Sequence, residues 1–299
     1  MPFTHLLLAL AVVFIWGTNF VVIKWGLAEF PPFLFAALRF TLCVLPWIFF
    51  IPKPRVSWAK LAAFGLLLGL GQFGLLYWAM QRDISPGLAS LLIQTQVFFT
   101  IGMAIVLQGE RLGPPQIAAM SLAIAGIAII GWHAVSDGAS ITLLGLALVL
   151  CGAAAWACAN FVARRAGKVN ALAFIVWASP FAVPPLFILA FVVHGTDGVT
   201  HALANATFAG WAAVAWQAIG NTLFGYGAWN WLMARHPAAT VTPSALLVPI
   251  FGMSASAWLL GEPLQGWKLA AAALVIAGLA LNLYGGKLAS LISRRPASV

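Results

Sequence analysis

The chain contains ten apolar stretches, each about as long as a helix that crosses a lipid bilayer. Roughly 20 apolar residues are needed for this, because an α-helix rises about 1.5 Å per residue through a hydrocarbon core about 30 Å thick. A membrane β-barrel is excluded, since its strands read as alternating segments of about ten residues. The sequence therefore predicts an all-α membrane protein with ten transmembrane helices. The predicted spans cover residues 5–25, 32–51, 58–79, 86–108, 115–132, 142–163, 170–193, 208–232, 239–260 and 267–286.

The composition supports a membrane location. Of the 299 residues, 63% are hydrophobic and 7% are charged, and the mean hydropathy is +1.01. A soluble domain carries about 25% charged residues, so this chain has too little polar material to cover a water-facing surface. A soluble enzyme and a disordered protein are both excluded, and the lipid bilayer is the predicted environment.

The basic residues indicate how the chain is oriented. Lys and Arg collect in cytoplasmic loops of membrane proteins, and most of the 15 basic residues lie between the apolar stretches on one side if the N-terminus is inside. They do not form one basic face, so no nucleic-acid partner is predicted despite the net charge of +9. We predict that both termini are cytoplasmic. The residues in predicted cytoplasmic loops are Lys53, Arg55, Lys60, Arg111, Arg164, Arg165, Lys168, Arg235, Lys287, Arg294 and Arg295.

An internal repeat divides the chain into two halves. Gly-Glu-x-Leu before the fifth predicted span recurs before the tenth, 152 residues later, and Trp-x-Met-x-Arg recurs with an offset of 153. Five helices per unit is an odd number, so the second unit must be inverted in the membrane, as in many secondary transporters. We predict two inverted five-helix repeats, residues 1–137 and 138–299. The matching segments are 109–112 with 261–264, 78–82 with 231–235, and 16–21 with 156–162.

These features together resemble a known group of proteins. Trp-Gly-Thr-Asn-Phe in the first span, Leu38-Arg39-Phe40 in the second and the two Gly-Glu-x-Leu segments are similar to the drug/metabolite transporter superfamily, in its EamA branch, and most to its YddG-type bacterial amino-acid exporters. The resemblance covers nearly the whole chain. It implies a central cavity between the halves, the fifth and tenth helices at the periphery, and alternating access in the bacterial inner membrane.

Charged residues are scarce inside the predicted spans. Arg39 is the one clear case, and it has two interpretations: an anchor for a substrate carboxylate, or a structural residue that backbone carbonyls or a helix-end group such as Glu262 satisfy. We favour the structural interpretation. Glu110 and Glu262 lie at helix ends, where helix capping is favoured over proton coupling, although protons are left open as a coupling ion. No Asp, Glu or His lies in mid-span and three cysteines lack metal-site spacing, so we predict no enzyme, cofactor or metal.

Neutral polar and aromatic residues mark the candidate site. Polar side chains at membrane depth face the protein interior, and here they fall in the first, third, fourth, sixth, eighth and ninth spans, while the fifth and tenth are nearly apolar scaffold with small residues for close packing. Pro residues in the seventh and ninth spans are expected to interrupt those helices. The candidate substrate-binding residues are Trp16, Asn19, Tyr77, Gln94, Gln96, Trp156, Asn160, Asn221, Tyr226, Trp229 and Asn230.

An aromatic cavity with amide groups suits a small amphipathic solute. The sequence thus predicts an inner-membrane secondary transporter that exports aromatic or other neutral amino acids and similar metabolites. One alternative is a passive facilitator or channel for small neutral solutes, although no charge ring or carbonyl filter is evident. Another is an EamA-type carrier of a different metabolite or drug. A sugar-nucleotide substrate is disfavoured, because phosphate needs more basic partners than one buried Arg.

Overall fold

The computed structural model describes residues 1–108, 113–136, 140–167 and 169–293, and these residues are predominantly helical. Within them the only β-pairing is an isolated bridge between Ile84 and Ile141. The α-helices are α1 (Phe3–Glu29), α2 (Pro32–Val44), α3 (Trp58–Gly65), α4 (Leu75–Arg82), α5 (Pro86–Leu92), α6 (Gln96–Gln108), α7 (Pro114–Ser136), α8 (Leu143–Arg165), α9 (Ala171–Asn205), α10 (Phe208–Ala215), α11 (Gly225–Arg235), α12 (Ala238–Val241), α13 (Leu247–Leu260) and α14 (Gly266–Ser293).

Nine helical stretches of the described chain are long and apolar enough to cross a membrane. This confirms the prediction of an all-helical, multi-pass membrane protein. The eighth predicted span, 208–232, is helical from α10 through α11 but is not one of the nine, because its Trp, Gln, Asn and Gly residues lower its hydropathy. The count of ten transmembrane helices therefore stays a prediction.

Irregular helix interrupts four of the long stretches in matching places. A π-helical segment at Leu66–Gly74 joins α3 to α4, and another at Trp216–Phe224 joins α10 to α11. A 3₁₀ segment at Ile93–Thr95 joins α5 to α6, and another at Thr242–Leu246 joins α12 to α13. Each pair begins about 150 residues apart, as positions 66 and 216 and positions 93 and 242 show.

The Pro residues of the seventh span do not break it. Pro180, Pro184 and Pro185 all lie inside α9, which continues through them, so the expected interruption there is wrong. The helix bends instead at Gly195, whose φ of 69° and ψ of 169° are non-helical. Glycine adopts this left-handed φ without the steric cost that a Cβ atom brings. In the ninth span Pro243 does lie in a 3₁₀ segment.

The strongest helix contacts join the two predicted halves. α7 packs against α14, α1 against α13, α2 against α9, and α8 against the π-helical segment Leu66–Gly74. Each of these pairs takes one helix from each half. The halves therefore interleave rather than fold as separate bundles, and helices from both of them surround the centre of the molecule.

Small residues allow α7 and α14 to approach closely, as the sequence predicted. A Cβ atom at Gly126 would lie 2.8 Å from Val275 Cγ2, and one at Gly278 would lie 2.6 Å from the backbone oxygen of Ala119. Backbone atoms cannot move aside as a flexible side chain can. Close approach of these two helices thus depends on glycine at 278.

Gly278→Ala is expected to lower the thermal unfolding midpoint of the purified protein, because the new methyl group overlaps the Ala119 carbonyl. The cost of such overpacking is about 1–3 kcal/mol. Gly102→Ala is the matched control, since nothing lies within 4 Å of a Cβ built at Gly102, and Ala favours helix over Gly by about 0.5–1 kcal/mol. Equal midpoints for the two variants would contradict the packing described here.

Candidate functional site

A cavity of about 920 Å³ lies between the helices of the two predicted halves. At one end its lining reaches Arg164 and Gly167, which are exposed where α8 ends. No lining residue in the described chain lies near the opposite helix ends, where α1 finishes at Glu29 and α5 begins at Pro86. The cavity is therefore open at one end and closed at the other.

The structure brings ten of the eleven candidate residues together around this cavity. They come from the first, fourth, sixth and eighth spans, which are far apart in the sequence. Tyr77 is the exception: it is fully buried and does not line the cavity. The candidates that line it are Trp16, Asn19, Gln94, Gln96, Trp156, Asn160, Asn221, Tyr226, Trp229 and Asn230.

Aromatic side chains form one part of the cavity wall. The Trp16 ring centroid lies 5.5 Å from that of Tyr226 and 5.2 Å from that of Trp229. The Trp16 indole Nε1 donates a hydrogen bond of 3.1 Å to the backbone oxygen of Asn221. This bond and the ring contacts hold the indole in place, so the wall is preformed.

Amide groups supply polarity in the same lining. Asn160 Nδ2 donates to Gln96 Oε1 at 3.2 Å, which joins α8 to α6. Gln94 Nε2 donates to the backbone oxygen of Ala245 at 3.3 Å, between the two 3₁₀ segments. Each bond crosses between the predicted halves, and each leaves an oxygen of the donating amide, Asn160 Oδ1 or Gln94 Oε1, with no donor among the described residues.

The tenth span contributes more than the sequence predicted. α14 supplies Leu279, Asn282 and Leu283 to the cavity lining, so its interpretation as scaffold alone is wrong. Asn282 is the signal that could have shown this, because a lone amide in an apolar helix must face the protein interior. Gln72 also lines the cavity and was absent from the candidate site.

Arg39 is buried beside the cavity and has neutral partners. Its Nη1 donates to Tyr77 Oη at 2.8 Å and to Gln217 Oε1 at 3.2 Å, and its Nη2 donates to Thr222 Oγ1 at 2.5 Å. Arg39 bonds within the protein and does not line the cavity, and the expected partners, backbone carbonyls or Glu262, are wrong. The guanidinium instead donates to side chains of the third and eighth spans.

Glu262 instead closes the other end of the molecule. Its carboxylate accepts hydrogen bonds from Ser85 Oγ and Ser256 Oγ, both at 2.5 Å, and from the Gly87 backbone N–H at 3.0 Å. Lys268 Nζ completes the set with an ion pair at 3.0 Å. The N–H of Gly87 belongs to the first turn of α5, so Glu262 caps α5 and not the tenth span that it precedes. Glu110, its predicted counterpart, lies outside the described residues.

The surroundings of Glu262 favour the ionised form of its carboxyl group. Burial alone would raise its pKa, but hydrogen bonds from Ser256, Ser85, Lys268 and Gly87 outweigh burial and hold the pKa below its usual value. A lowered folded-state pKa contributes stability that is present above the unfolded pKa and lost as pH falls through the folded one. The contacts of Glu262 therefore contribute stability in the ionised form of its carboxyl group.

Protonation of Glu262 is expected to lower the thermal midpoint of the protein only below about pH 4.5, because 4.5 is the usual pKa of a free Glu carboxyl group. In that range protonation weakens the contacts of Glu262 with Ser85, Ser256 and Lys268. Midpoints measured from pH 8 to pH 3, for the protein and for Glu262→Gln, check this. A loss of stability between pH 6 and pH 7 that Glu262→Gln abolishes would contradict it.

The helices and the cavity define a class of protein: a multi-pass membrane protein with a cavity, open at one end, of a size for a small solute. The profile of the EamA-like transporter family matches residues 3–132 and 143–284. The chain belongs to this family, and it is a membrane transporter of small molecules rather than an enzyme. No group of three or more His, Cys, Asp or Glu side chains that could hold a metal ion occurs in the described part of the chain.

Three curated relatives and one solved structure are similar along most of the chain. A probable amino-acid metabolite efflux pump of Salmonella typhimurium is 37% identical over 93% of this chain and 94% of the relative, and one of Escherichia coli is 35% identical over the same shares. A probable terminal-alkyne amino-acid exporter of Streptantibioticus cattleyicolor is 28% identical over 89% of both chains. A protein of known crystal structure, 19% identical in sequence, matches this chain over the full length of both chains with a TM-score of 0.62, which supports the fold.

Proposed function

We propose that this protein exports amino acids and similar small metabolites across the bacterial inner membrane by alternating access. The observation that carries the proposal is the cavity of about 920 Å³, closed at one end, with aromatic walls and neutral amides. Its volume lies within the usual range for small-molecule sites, about 300–1,000 Å³. The similar proteins, two probable amino-acid metabolite efflux pumps and one probable amino-acid exporter, point to the same substrates.

The proposed architecture is two inverted five-helix repeats, 1–137 and 138–299, with both termini in the cytoplasm. The family profile matches the chain twice, and the π-helical and 3₁₀ segments recur at matching positions. The bias of Lys and Arg toward one side supports this orientation. In it, the open end of the cavity at Arg164 and Gly167 faces the cytoplasm, so this structure is ready to load an export substrate.

The ten lining candidates are the proposed substrate-binding residues. Trp16, Tyr226 and Trp229 supply an apolar wall, and Trp156 adds another ring. The amides of Asn19, Asn221, Asn160, Asn230, Gln94 and Gln96 supply donors and acceptors. Tyr77 has a different role in this proposal: its hydroxyl is held between Arg39 and Gln217, with Tyr77 Oη donating to Gln217 Oε1 at 2.9 Å, so it positions that pair.

Charges placed at helix ends close the outer side. Lys24 Nζ donates to the backbone oxygens of Met80 and Gln81, at 3.1 and 3.2 Å, in the last turn of α4. Glu262 binds the first turn of α5. Each charge has the sign that the helix dipole favours at that end, so the turn between α4 and α5 is held from both sides. A channel would leave a path here, whereas a carrier must break these bonds to open.

Lys24→Met is expected to open the outer side more often, because it removes both bonds to α4. The readout is the rate at which a membrane-impermeant maleimide, added outside, labels Ile23→Cys in a background without the three native cysteines. Ile23 is a lining residue on the turn of α1 that carries Lys24. We expect a several-fold faster reaction than in the parent protein.

Arg82→Met is the matched control for Lys24→Met. Arg82 is a basic residue at the end of α4, and it is exposed, without a side-chain hydrogen bond to any described residue. Its replacement should leave the labelling rate unchanged. If Lys24→Met also leaves the rate unchanged, the proposed closure at α4 is wrong.

Efflux from proteoliposomes tests the proposed function itself. Vesicles loaded with a labelled amino-acid mixture are followed with and without a pH gradient, for the protein and for Asn160→Ala. Saturable efflux with trans-stimulation, weakened in Asn160→Ala, is expected for a carrier whose site lies in the cavity. Non-saturable flux would favour the passive facilitator, and no efflux from folded protein would leave a carrier of other cargo.

A further inference from the structure

The cation of Arg39 has no anionic partner in the described chain, and this is costly at membrane depth. The guanidinium is fully buried, its three hydrogen-bond acceptors are a phenol, an amide and a hydroxyl, and its Nε has no partner. The ring of Phe73 lies over it, 3.8 Å from Cζ to the ring centroid. A guanidinium keeps its proton in proteins, so a positive charge remains uncompensated here.

This charge lies one side chain behind the cavity. Gln217 Oε1 accepts from Arg39 and also from Asn19 Nδ2, at 3.3 Å, while Gln217 Nε2 donates to Asn19 Oδ1 at 2.7 Å. Asn19 lines the cavity, as does Phe73, but Gln217 does not. The two amides therefore stand between the guanidinium and the cavity, and the charge polarises both of them.

The same part of the lining has hydrogen-bond donors to spare. An Asn amide has two N–H donors, and Asn19 uses one of them on Gln217. The side-chain amide of Asn221, four residues after Gln217 and also in the lining, makes no hydrogen bond with any described residue. Asn19 and Asn221 thus keep amide N–H donors for a solute in the cavity, and Asn19 is hydrogen-bonded to Gln217, which contacts Arg39.

We propose that the part of the lining formed by Asn19 and Asn221, here called the carboxylate wall, recognises the carboxylate of the transported amino acid through the amide donors of these two residues. Arg39 is a specificity residue that acts through Gln217 and through its field, which is strong in a low-dielectric interior. Donor bonds to a carboxylate are charge-assisted and therefore strong. The ammonium group of the solute is left to acceptors elsewhere in the lining, such as Gln94 Oε1 and Asn160 Oδ1. This inference rests on the proposed function and adds the direction in which the substrate lies.

The test compares leucine with two molecules that each lack one of its charged groups. Labelled leucine is bound to the purified protein. Unlabelled 4-methylpentanoate, which lacks the ammonium group, and isopentylamine, which lacks the carboxylate, are then each tested as competitors for leucine binding. We expect 4-methylpentanoate to displace leucine at a concentration at least about tenfold lower than isopentylamine needs, which corresponds to about 1.4 kcal/mol of binding free energy. Equal competition by the two would overturn the inference.

Gln217→Glu removes the net charge of the cluster with almost no change of shape, since the new carboxylate pairs with Arg39. The preference for 4-methylpentanoate over isopentylamine is expected to fall about tenfold. Gln116→Glu is the matched control: it makes the same substitution in α7, where Gln116 accepts from the Gly113 backbone N–H and does not line the cavity, so the preference should stay. An unchanged preference in Gln217→Glu would overturn the inference, with thermal midpoints showing that each variant is folded.

The inference and the proposed function fail in different ways. If leucine binds and is exported but the preference is absent, only the inference is wrong. If no amino acid of the labelled mixture binds or moves, the proposed function is wrong, and labelled 4-methylpentanoate then tests the carboxylate wall of Asn19 and Asn221 alone. Binding of this probe that Gln217→Glu weakens would retain the carboxylate wall, and no binding would remove it.

Discussion

Replacing Glu262 with Gln is expected to lower the free energy of unfolding by about 3–5 kcal/mol, the usual cost of leaving one partner of a buried ion pair alone. Lys268 is fully buried, and Glu262 is its ion-pair partner at 3.0 Å. The neutral amide also accepts weaker hydrogen bonds from Ser85, Ser256 and Gly87 than the carboxylate does. The thermal midpoint of purified protein, and its unfolding in a denaturing detergent, measure the effect.

The double variant Glu262→Gln with Lys268→Met separates charge from shape. It removes the unpaired ammonium, so most of the lost stability should return, because replacing both members of a buried pair is often nearly neutral. A cycle of the two single variants and the double variant gives the coupling between the two residues. Additive losses would show that the ion pair does not hold this end of the protein together.

Trp16→Ala is expected to reduce kcat/KM for efflux about tenfold or more, which corresponds to about 1.4 kcal/mol of transition-state stabilisation. The indole contacts the rings of Tyr226 and Trp229 and is anchored to the Asn221 backbone. Its loss widens the cavity and frees the two neighbouring rings. Initial efflux rates over a range of substrate concentrations give the ratio.

Trp258→Ala is the control for Trp16→Ala. The Trp258 side chain is 85% exposed and faces outward from α13, away from the cavity. Efflux should be unchanged in this variant, and both variants should reach the membrane in equal amounts. Efflux by Trp16→Ala at the rate of the unmodified protein would mean that the aromatic wall does not contact the substrate.

The pattern of apolar and polar residues predicted the membrane helices and most of the cavity lining, because the bilayer restricts where each kind of residue can lie. A span needs a long apolar run, which the sequence displays openly. Polar side chains must avoid lipid, so Asn19, Asn160 and Asn221 could be assigned to a shared interior from composition alone, and the structure places them around one cavity. A capping role for Glu262 followed from its position at a helix end, although the helix that it caps is α5.

What the sequence could not predict depends on contacts between distant helices and on rotation within a helix. Leu76 lines the cavity, but Tyr77, the next residue, points about 100° away around the helix and meets Arg39. The partners of Arg39, Gln217 and Thr222, are 178 and 183 residues away in the chain, so no local pattern reveals them. The chemistry of Asn282 was visible, but its direction toward the cavity was not.

The two π-helical segments, Leu66–Gly74 and Trp216–Phe224, lie in the walls of the cavity and have wider turns than the α-helices on either side of them. Each carries lining residues, Gln72 and Phe73 in the first and Asn221 in the second. When a π-turn converts to α-helix, the helix beyond it advances by about 1.5 Å and turns by about 100°. A few backbone hydrogen bonds change acceptor and none needs to be lost to lipid. Such a change in either segment would rotate its lining residues relative to a solute in the cavity.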